Sequence, residues 1–463
     1  MKVEDNLPVN PELMVQADLC IGCGVCVGSM QAVGQMQFNG QGNLIPVNVQ
    51  TKDLRSRLFP QLCPFSPEAP TEDFLSESLF PESRQSHPEI GRFLAAYVGY
   101  VSEGNFRERA SSGGMLTWLL EELLRTGQID GVAHVKACNN PQSDGRFFRY
   151  QTSRTPEEIH QGAQSRYYPV ELSQVLAEIQ RLPGRYAVVG IPCFIKAVQL
   201  LRRQDPILRE RIAFTLGLVC GHMKSTRFVE SIAMQIGVPL EQVQRIDFRR
   251  KAPHRPANAY HFHLMLTDGR NIEGPWRQLV DGDWGAGFFM NSACNFCDDV
   301  VAETADASCG DAWVEPYASD PGGTNIVITR SATLEAIVRH GISNGRLNLT
   351  AVDGNFVART QAAGIRQRRE GLAYRLTWPH SGLRPRKRVN PRTNGIRLRR
   401  KLIYRLRHTI SRWSPRIYAA AQRVGFPGLY RLWAWSVLRV YKVLAYAGVR
   451  TTPRKQNTDR QNA

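Results

Sequence analysis

The sequence predicts an α/β protein, α+β overall once its two ends are counted. Three observations carry that expectation. Buried-strand runs such as YAVVG and IAFTLGLV alternate with helical-period segments such as ELSQVLAEIQRL and FIKAVQLLRRQ, the order of a sheet covered by helices. The first sixty or so residues are glycine-punctuated, cysteine-bearing and poor in periodic runs. The last eighty or so are crowded with arginine on helical periodicity. Hydrophobic residues make up 42% of the 463, enough for real cores and too many for wholesale disorder.

Taken in order, residues 1–66 read as a small unit built around an inorganic centre. Residues 67–92, PFSPEAPTEDFLSESLFPESRQSHPEI within their surroundings, read as a polar, proline-rich linker. A first α/β region spans 93–172. In it FLAAYVGYV is a strand, SSGGMLTWLLEELLRTG a helix from about Gly114 to Arg125 with a serine cap and a glycine stop, and GVAHVKA the next strand. A second region spans 173–350 and continues the alternation. YHFHLMLTDGRNIEG alternates apolar and polar residues as a hairpin does, TNIVITRS is a strand and ATLEAIVRHGISNG a helix. Residues 380–463 form a basic amphipathic tail with two helices, the first setting Leu398, Leu402, Leu406, Ile410 and Trp413 near one face.

The net charge of +18 belongs to that tail. Between Arg384 and Lys455 stand 20 Lys and Arg and no acid, so the other 39 basic residues nearly balance 41 acidic ones. A neutral body with a basic appendage argues against a nucleic-acid-binding body. The start, MKVEDNLPVN, has no apolar run, so no secretory or transit segment is expected, and no stretch reaches 18 uncharged apolar residues. The expected compartment is the cytoplasm, where ten cysteines are ligands or redox groups rather than disulfides.

ADLCIGCGVC is the sharpest motif. Its C-x2-C-x2-C spacing lets one tight loop wrap a single centre, with Cys20, Cys23 and Cys26 as soft ligands and glycines at the turns. The positions after it read GSM, so the fourth ligand comes from farther away, and Cys63, followed by proline, is the candidate. The set predicts one 4Fe-4S cluster in a ferredoxin-like domain. A structural zinc site is the competing reading, though zinc knuckles use paired C-x2-C units. Cys294 and Cys297 form a second C-x2-C, while Cys193 and Cys220 end strands, where ligands gather in open α/β sheets. These four can hold a second cluster, or Cys193 and Cys220 are ordinary buried thiols. Cys309 can replace one ligand, and Cys138 is structural.

LCIGCGVC, SSGGMLTWLLEELLRTGQIDGV, GAQSRYY, GIPCFIKAVQLLR, LGLVCGH, IDFRRK, CNFCDD and ADASCGDAW, in that order, resemble the coenzyme F420 (deazaflavin) hydrogenase/dehydrogenase beta-subunit family over roughly residues 15 to 345. That family includes deazaflavin-dependent enzymes, ferredoxin-dependent reductases such as 7-hydroxymethyl chlorophyll a reductase, and members of surface-polysaccharide gene sets. The resemblance implies FAD with one or two 4Fe-4S clusters. It carries Ser112, Gly113, Gly114 and Thr117, then Ser165, Tyr167 and Asp311, into the flavin site. The chain departs from the pattern in NSA before the second C-x2-C, in Cys309, and in the whole tail.

Read alone, SSGG before a helix is an anion trap made of free N–H groups, or simply a cap. Lys136 stands over the flavin or in solvent. His222, beside Cys220, is the candidate proton donor. Clusters with a flavin imply an iron–sulfur flavoprotein oxidoreductase, fed by ferredoxin, another one-electron donor or deazaflavin, and acting on an organic substrate such as a polysaccharide or isoprenoid intermediate. The alternative is an electron-transfer subunit serving a partner enzyme; a zinc-stabilised adaptor is a third reading. The tail fits an anionic inner-membrane surface, an acidic partner such as ferredoxin, nucleic acid, or a solvated extension; its tryptophans favour the membrane and a peripheral position there.

Overall fold

In the computed structural model, residues 9–28, 34–49, 54–252, 255–379 and 382–446 are described. The strands, in chain order, are β1 (Gln35–Phe38), β2 (Leu44–Val47), β3 (Gln85–His87), β4 (Gly91–Phe93), β5 (Ala95–Val101), β6 (Gly131–Ala137), β7 (Phe148–Ser153), β8 (Tyr186–Gly190), β9 (Ile212–Leu218), β10 (Val243–Arg250), β11 (His261–Leu266), β12 (Asn271–Pro275), β13 (Ala307–Asp311), β14 (Asn325–Thr329) and β15 (Leu347–Val352). Eight of them make one mixed sheet in the order β15-β5-β14-β13-β9-β8-β6-β7. Its centre, β13-β9-β8-β6, is parallel, and the flanking pairs are antiparallel. The expected α/β fold is therefore present.

The central strands are buried on both faces, every residue of β8 and of β14 included. That is why they read as continuous apolar runs instead of alternating ones. One cover is the helix Met115–Arg125, which buries Met115, Trp118, Leu119, Leu120 and Leu123. Each such side chain contributes about 1.5–3 kcal/mol. Another is Pro192–Gln204, which buries Phe194, Ile195, Val198 and Leu201.

The N-terminal unit has a helix at Pro11–Gln16 capped by Asn10, the cysteine loop, the β1–β2 hairpin and a helix at Leu54–Leu62. It shares a core with the body, in which Leu19, Val25 and Phe65 belong to the same cluster as Leu176, Val188 and Phe194. The stretch 67–92 is structured, unlike the expected linker. Thr71 caps the helix Glu72–Leu79, β3 pairs with β4, and Leu75 packs with Leu200. The hairpin expected at 260–274 is β11–β12, joined by β10 into a three-stranded sheet.

The basic tail also packs on the body. Helices Leu398–Arg423 and Pro427–Tyr446 form a hairpin whose Ile403, Ile410, Tyr418, Tyr430 and Leu438 enter the core containing Phe228, Phe248 and Phe289. The face expected from sequence is not the buried one: Ile410 is buried, but Leu398, Leu402 and Trp413 point outward. Residues 447–463 lie outside the described residues. Among the described residues no helix is long and apolar enough to cross a membrane.

Candidate functional site

β6, β8, β9 and β13 run parallel, and β5 runs the same way, so their carboxyl ends share one edge of the sheet. Ligands gather at such an edge. Lys136 ends β6, Cys193 follows β8, Cys220 follows β9, Asp311 ends β13 and the SSGG turn follows β5.

Cys20, Cys23, Cys26 and Cys63 line one cavity, together with Met14, Ile21, Val25, Phe59 and Leu62 and without any charged side chain. Gly22 and Gly24 hold left-handed conformations there, and a Cβ on Gly24 would stand 2.5 Å from a Glu171 oxygen. The Leu172 amide donates to the Cys23 carbonyl at 2.9 Å and ties the loop to the sheet domain. Burial pushes the Cys20 thiol up to about 11 and Cys63 to about 12. Cys23 and Cys26 rise too, through burial and then through neighbouring cysteines. Four thiols that oppose one another's ionisation suit a shared cationic centre.

Cys193 sits in the first turn of Pro192–Gln204; Cys294 lies within the short turn Ser292–Phe296, and Cys297 directly follows it. The Cys193 thiol is raised by burial, then by the charges of Cys297, Cys220, Cys294 and finally Cys23, which puts it within electrostatic reach of those three and, more weakly, of the N-terminal loop. The Met223 amide donates to Cys294 Sγ at 3.4 Å. Buried Arg368 donates to the carbonyls of Cys220 and Gly221, and its guanidinium faces Cys297, Cys220 and Cys294. Cys309 lies inside β13, raised to about 12 by burial alone, and is apart from both sets. Cys138 is likewise buried elsewhere, beside Asp144. Among the described residues no three His, Cys, Asp or Glu side chains converge as tightly as one metal ion requires. Four soft thiol donors lining one cavity free of charged side chains are a donor set that a polynuclear iron–sulfur cage takes.

The flavin candidates divide. A Cβ on Gly113 would stand 2.9 Å from Asn325 Oδ1, and one on Gly114, at φ +87°, 2.8 Å from the Phe106 backbone. These glycines make room for the chain itself. The Met115 amide donates to Asn325 Oδ1 at 3.1 Å, so part of the helix start is already satisfied. Ser112 Oγ donates to the Thr324 carbonyl, and Thr117 is buried in the helix. The Ser165 amide donates to Ser111 Oγ at 3.0 Å, which joins the SSGG and SRYY loops. Tyr167 is half-buried and packs its ring against Phe248 and Trp284. Asp311 takes both branches of Arg249, at 2.8 and 2.9 Å.

Beside these residues opens a cleft of about 1180 Å³, lined by Arg107, Arg109, Arg245, Arg249, Arg250 and Lys251 against Glu108 and Asp247. Lys251 donates to the Ser112 carbonyl at 2.9 Å. Burial, then Arg107 and Arg249, lowers its ammonium to about 8. A neighbouring pocket of about 370 Å³ shares Arg109, Gln164 and Arg245, adds Lys136 and Arg166, and has no carboxylate in its lining. Lys136 is lowered by burial. Sequence reasoning missed these arginines, although IDFRRK, at the end of β10, holds three of the cleft's cations. Arg368 had no local signal at all.

His222 stands two residues after Cys220. Its ring stacks on Trp284, which contacts Tyr167 in turn. Both ring nitrogens are buried without a hydrogen-bond partner. Burial, then Lys224, Arg407 and Arg368, keeps the ring neutral.

Residues 96–177 match the family model for the N-terminal part of the coenzyme F420 hydrogenase/dehydrogenase beta subunit, and residues 184–355 match the model for its C-terminal part. The N-terminal cysteine loop and the C-terminal hairpin lie outside both matches. The beta subunit of coenzyme F420 hydrogenase from Methanothermobacter thermautotrophicus is 21% identical over 264 residues, 55% of this chain and 84% of that protein. Its namesake in Methanosarcina barkeri is 21% identical over 272 residues, 58% and 84%. One component of the F(420)H(2) dehydrogenase of Methanosarcina mazei is 22% identical over 222 residues, 48% of this chain and 56% of that protein. A chain of the F420-reducing [NiFe] hydrogenase complex from Methanosarcina barkeri shares the fold, with a TM-score of 0.50 and 18% identity over 65% of this chain and 99% of that one. The two matched models together span the sheet and its strand-end edge, and the chain belongs to the coenzyme F420 hydrogenase/dehydrogenase beta-subunit family.

Proposed function

We propose that this chain is an iron–sulfur flavoprotein oxidoreductase that moves electrons between a one-electron donor, such as a ferredoxin, or a deazaflavin, and an organic substrate. The single observation that carries the reading is the cavity that Cys20, Cys23, Cys26 and Cys63 line without any charged side chain. Cys20, Cys23, Cys26 and Cys63 would hold one 4Fe-4S cluster, and Cys193, Cys220, Cys294 and Cys297 the other. Bound clusters supply single-electron steps, and FAD exchanges single electrons for pairs.

The chain's own residues do the rest. Lys251, Arg249 and Arg107 attract the anionic groups of a dinucleotide, and Asp311 fixes the orientation of Arg249. Ser112, Gly113, Gly114, Thr117, Ser165 and Tyr167 are the flavin-site candidates the family resemblance carries, Ser112 being tied to the cleft through Lys251. His222 and Lys136 are the proton-handling candidates, His222 because its nitrogens await partners and Lys136 because burial eases loss of its proton. Surface-polysaccharide metabolism in the cytoplasm is the setting the family resemblance suggests.

The relatives' names supply a second reading, since they are parts of hydrogenase or dehydrogenase complexes. In that reading the chain feeds a partner enzyme. Anaerobic purification with iron and flavin quantification tests the shared core, and a colourless protein after reconstitution overturns it. Reoxidation of the reduced protein by a small molecule, without a partner protein, marks an enzyme; reoxidation only with a partner present marks an electron-transfer component.

A further inference from the structure

Fifteen large apolar side chains are exposed among the described residues, and eleven of them lie between Leu398 and Tyr446. The helical hairpin turns one side into the core and the other, where apolar side chains stand among arginines, into solvent. On the second helix Leu429, Leu432, Trp435, Val443 and Tyr446 recur at helical spacing on the outer side, Leu432 and Val443 both 66% exposed. At the tip joining the helices, Val424 is 68% and Phe426 63% exposed. Patches this concentrated on a solvent-facing side mark an interaction surface.

The charge of the patch is all of one sign. The segment from Arg384 to Lys455 has no acidic residue. Lys387, Arg388 and Arg400 are engaged by Asp298, Glu303 and Glu370 of the body. Among the described residues, Arg412, Arg423, Arg431, Arg439 and Lys442 have no carboxylate partner and are exposed. Arg439 lies over the Trp435 ring at 4.4 Å, a long cationic side chain laid along an aromatic one.

We propose that the outer face of this hairpin docks the protein on an anionic lipid bilayer. The aliphatic and aromatic row enters the interface between headgroups and acyl chains, and the flanking arginines meet lipid phosphates. A second copy of the chain is disfavoured as occupant because the same unpartnered cations would oppose each other. An acidic protein would answer the charges but not a whole helix length of outward Leu, Val and Trp. The inference does not depend on the redox reading.

The test is flotation of the full chain with vesicles of 70% phosphatidylcholine and 30% phosphatidylglycerol, against vesicles of phosphatidylcholine alone. Because the inner side of the hairpin belongs to the core, the variants are exposed point changes rather than truncations. Leu432→Glu with Trp435→Glu, and separately Arg412→Glu with Arg423→Glu, each lower recovery with anionic vesicles at least about tenfold, while melting temperature and iron content stay unchanged. High salt weakens binding of the unaltered chain. Equal recovery with both lipids, or variants that float like the parent, would overturn the proposal. So would a dimer in light scattering that these variants dissolve, or capture of an acidic ferredoxin through the same face without vesicle binding.

Discussion

The ring of His222 lies on that of Trp284, centroids 4.2 Å apart and planes 23° from parallel, with neither imidazole nitrogen bonded to anything. An unpaired buried polar atom costs about 1–3 kcal/mol. Such a cost is retained where a bound group repays it. His222→Phe keeps the stack and removes both nitrogens. The variant without cofactors should melt no lower than the parent, while turnover of the reconstituted protein with a ferredoxin donor falls at least about tenfold. A variant with undiminished turnover would reduce His222 to packing.

The two cysteine foursomes give an iron count. Cys63→Ala and Cys193→Ala should each lose about four of eight irons, measured anaerobically, and each should leave the other site's electron paramagnetic resonance signal in place. Cys309→Ala should lose none, because Cys309 is inside β13 and away from both sets.

Arg368 is a buried cation facing Cys220, Cys294 and Cys297. A positive charge favours the more reduced, more negative state of whatever those sulfurs hold. Arg368→Met should therefore make the second site's reduction potential more negative and leave the first site's unchanged. Arg368→Lys should restore most of the difference. Potentiometric titration reads both.

Lys251 makes anion binding depend on pH. Its ammonium is present below about pH 8 and lost above it, because burial and then Arg107 and Arg249 disfavour the charge. Affinity for FAD or inorganic pyrophosphate should fall as pH rises through about 8, and Lys251→Met should flatten that step. The linkage to stability has the opposite sense. The unfolded chain takes up this proton from about pH 10.4 downward and the folded chain only near 8, so this group makes stability rise with pH across that window.

Glu122 controls the acid limb. Burial alone would raise its carboxyl, but hydrogen bonds from Arg125 and Arg346 hold it at about 2. The folded value lies below the unfolded one of about 4.3, so the stabilisation is complete above that pH and is lost as pH falls toward 2. Glu122→Gln should lower the melting temperature at pH 7 by about 5 °C and flatten the decline between about pH 4.3 and 2.

What the sequence revealed follows from how local each signal is. The strands and helices of the sheet domain were legible because burial on both faces leaves apolar runs, and helices leave a 3.6-residue period. Of the cysteines, Cys20, Cys23, Cys26, Cys294 and Cys297 stood out because thiols in C-x2-C spacing have few other uses, whereas Cys63, Cys193 and Cys220 have no such local spacing. The stretch 67–92 was not, because what orders it is remote: Glu72 meets Lys196 at 3.1 Å, and both are buried. The pairing of Arg249 with Asp311, 62 positions apart, and the approach of Arg368 to Cys220, 148 apart, likewise leave no local trace. The hairpin misled for another reason. Both of its sides carry large apolar residues, so periodicity could not say which one the body would cover.

Lys387 and Arg388 reach back to the segment after the second C-x2-C. Lys387 meets Asp298 at 3.0 Å, and Arg388 grips Glu303 at 2.7 and 2.8 Å, all four side chains being almost wholly buried. Cutting the chain after the family-matched stretch would take away Lys387, Arg388 and Arg369 and leave these buried carboxylates only the more distant Lys196 and Arg330. The C-terminal region is therefore not a detachable module that evolution or an engineer can swap at will: its first cations are built into the interior beside Cys294 and Cys297, and a shortened version is expected to be more stable with Asp298 and Glu303 made neutral.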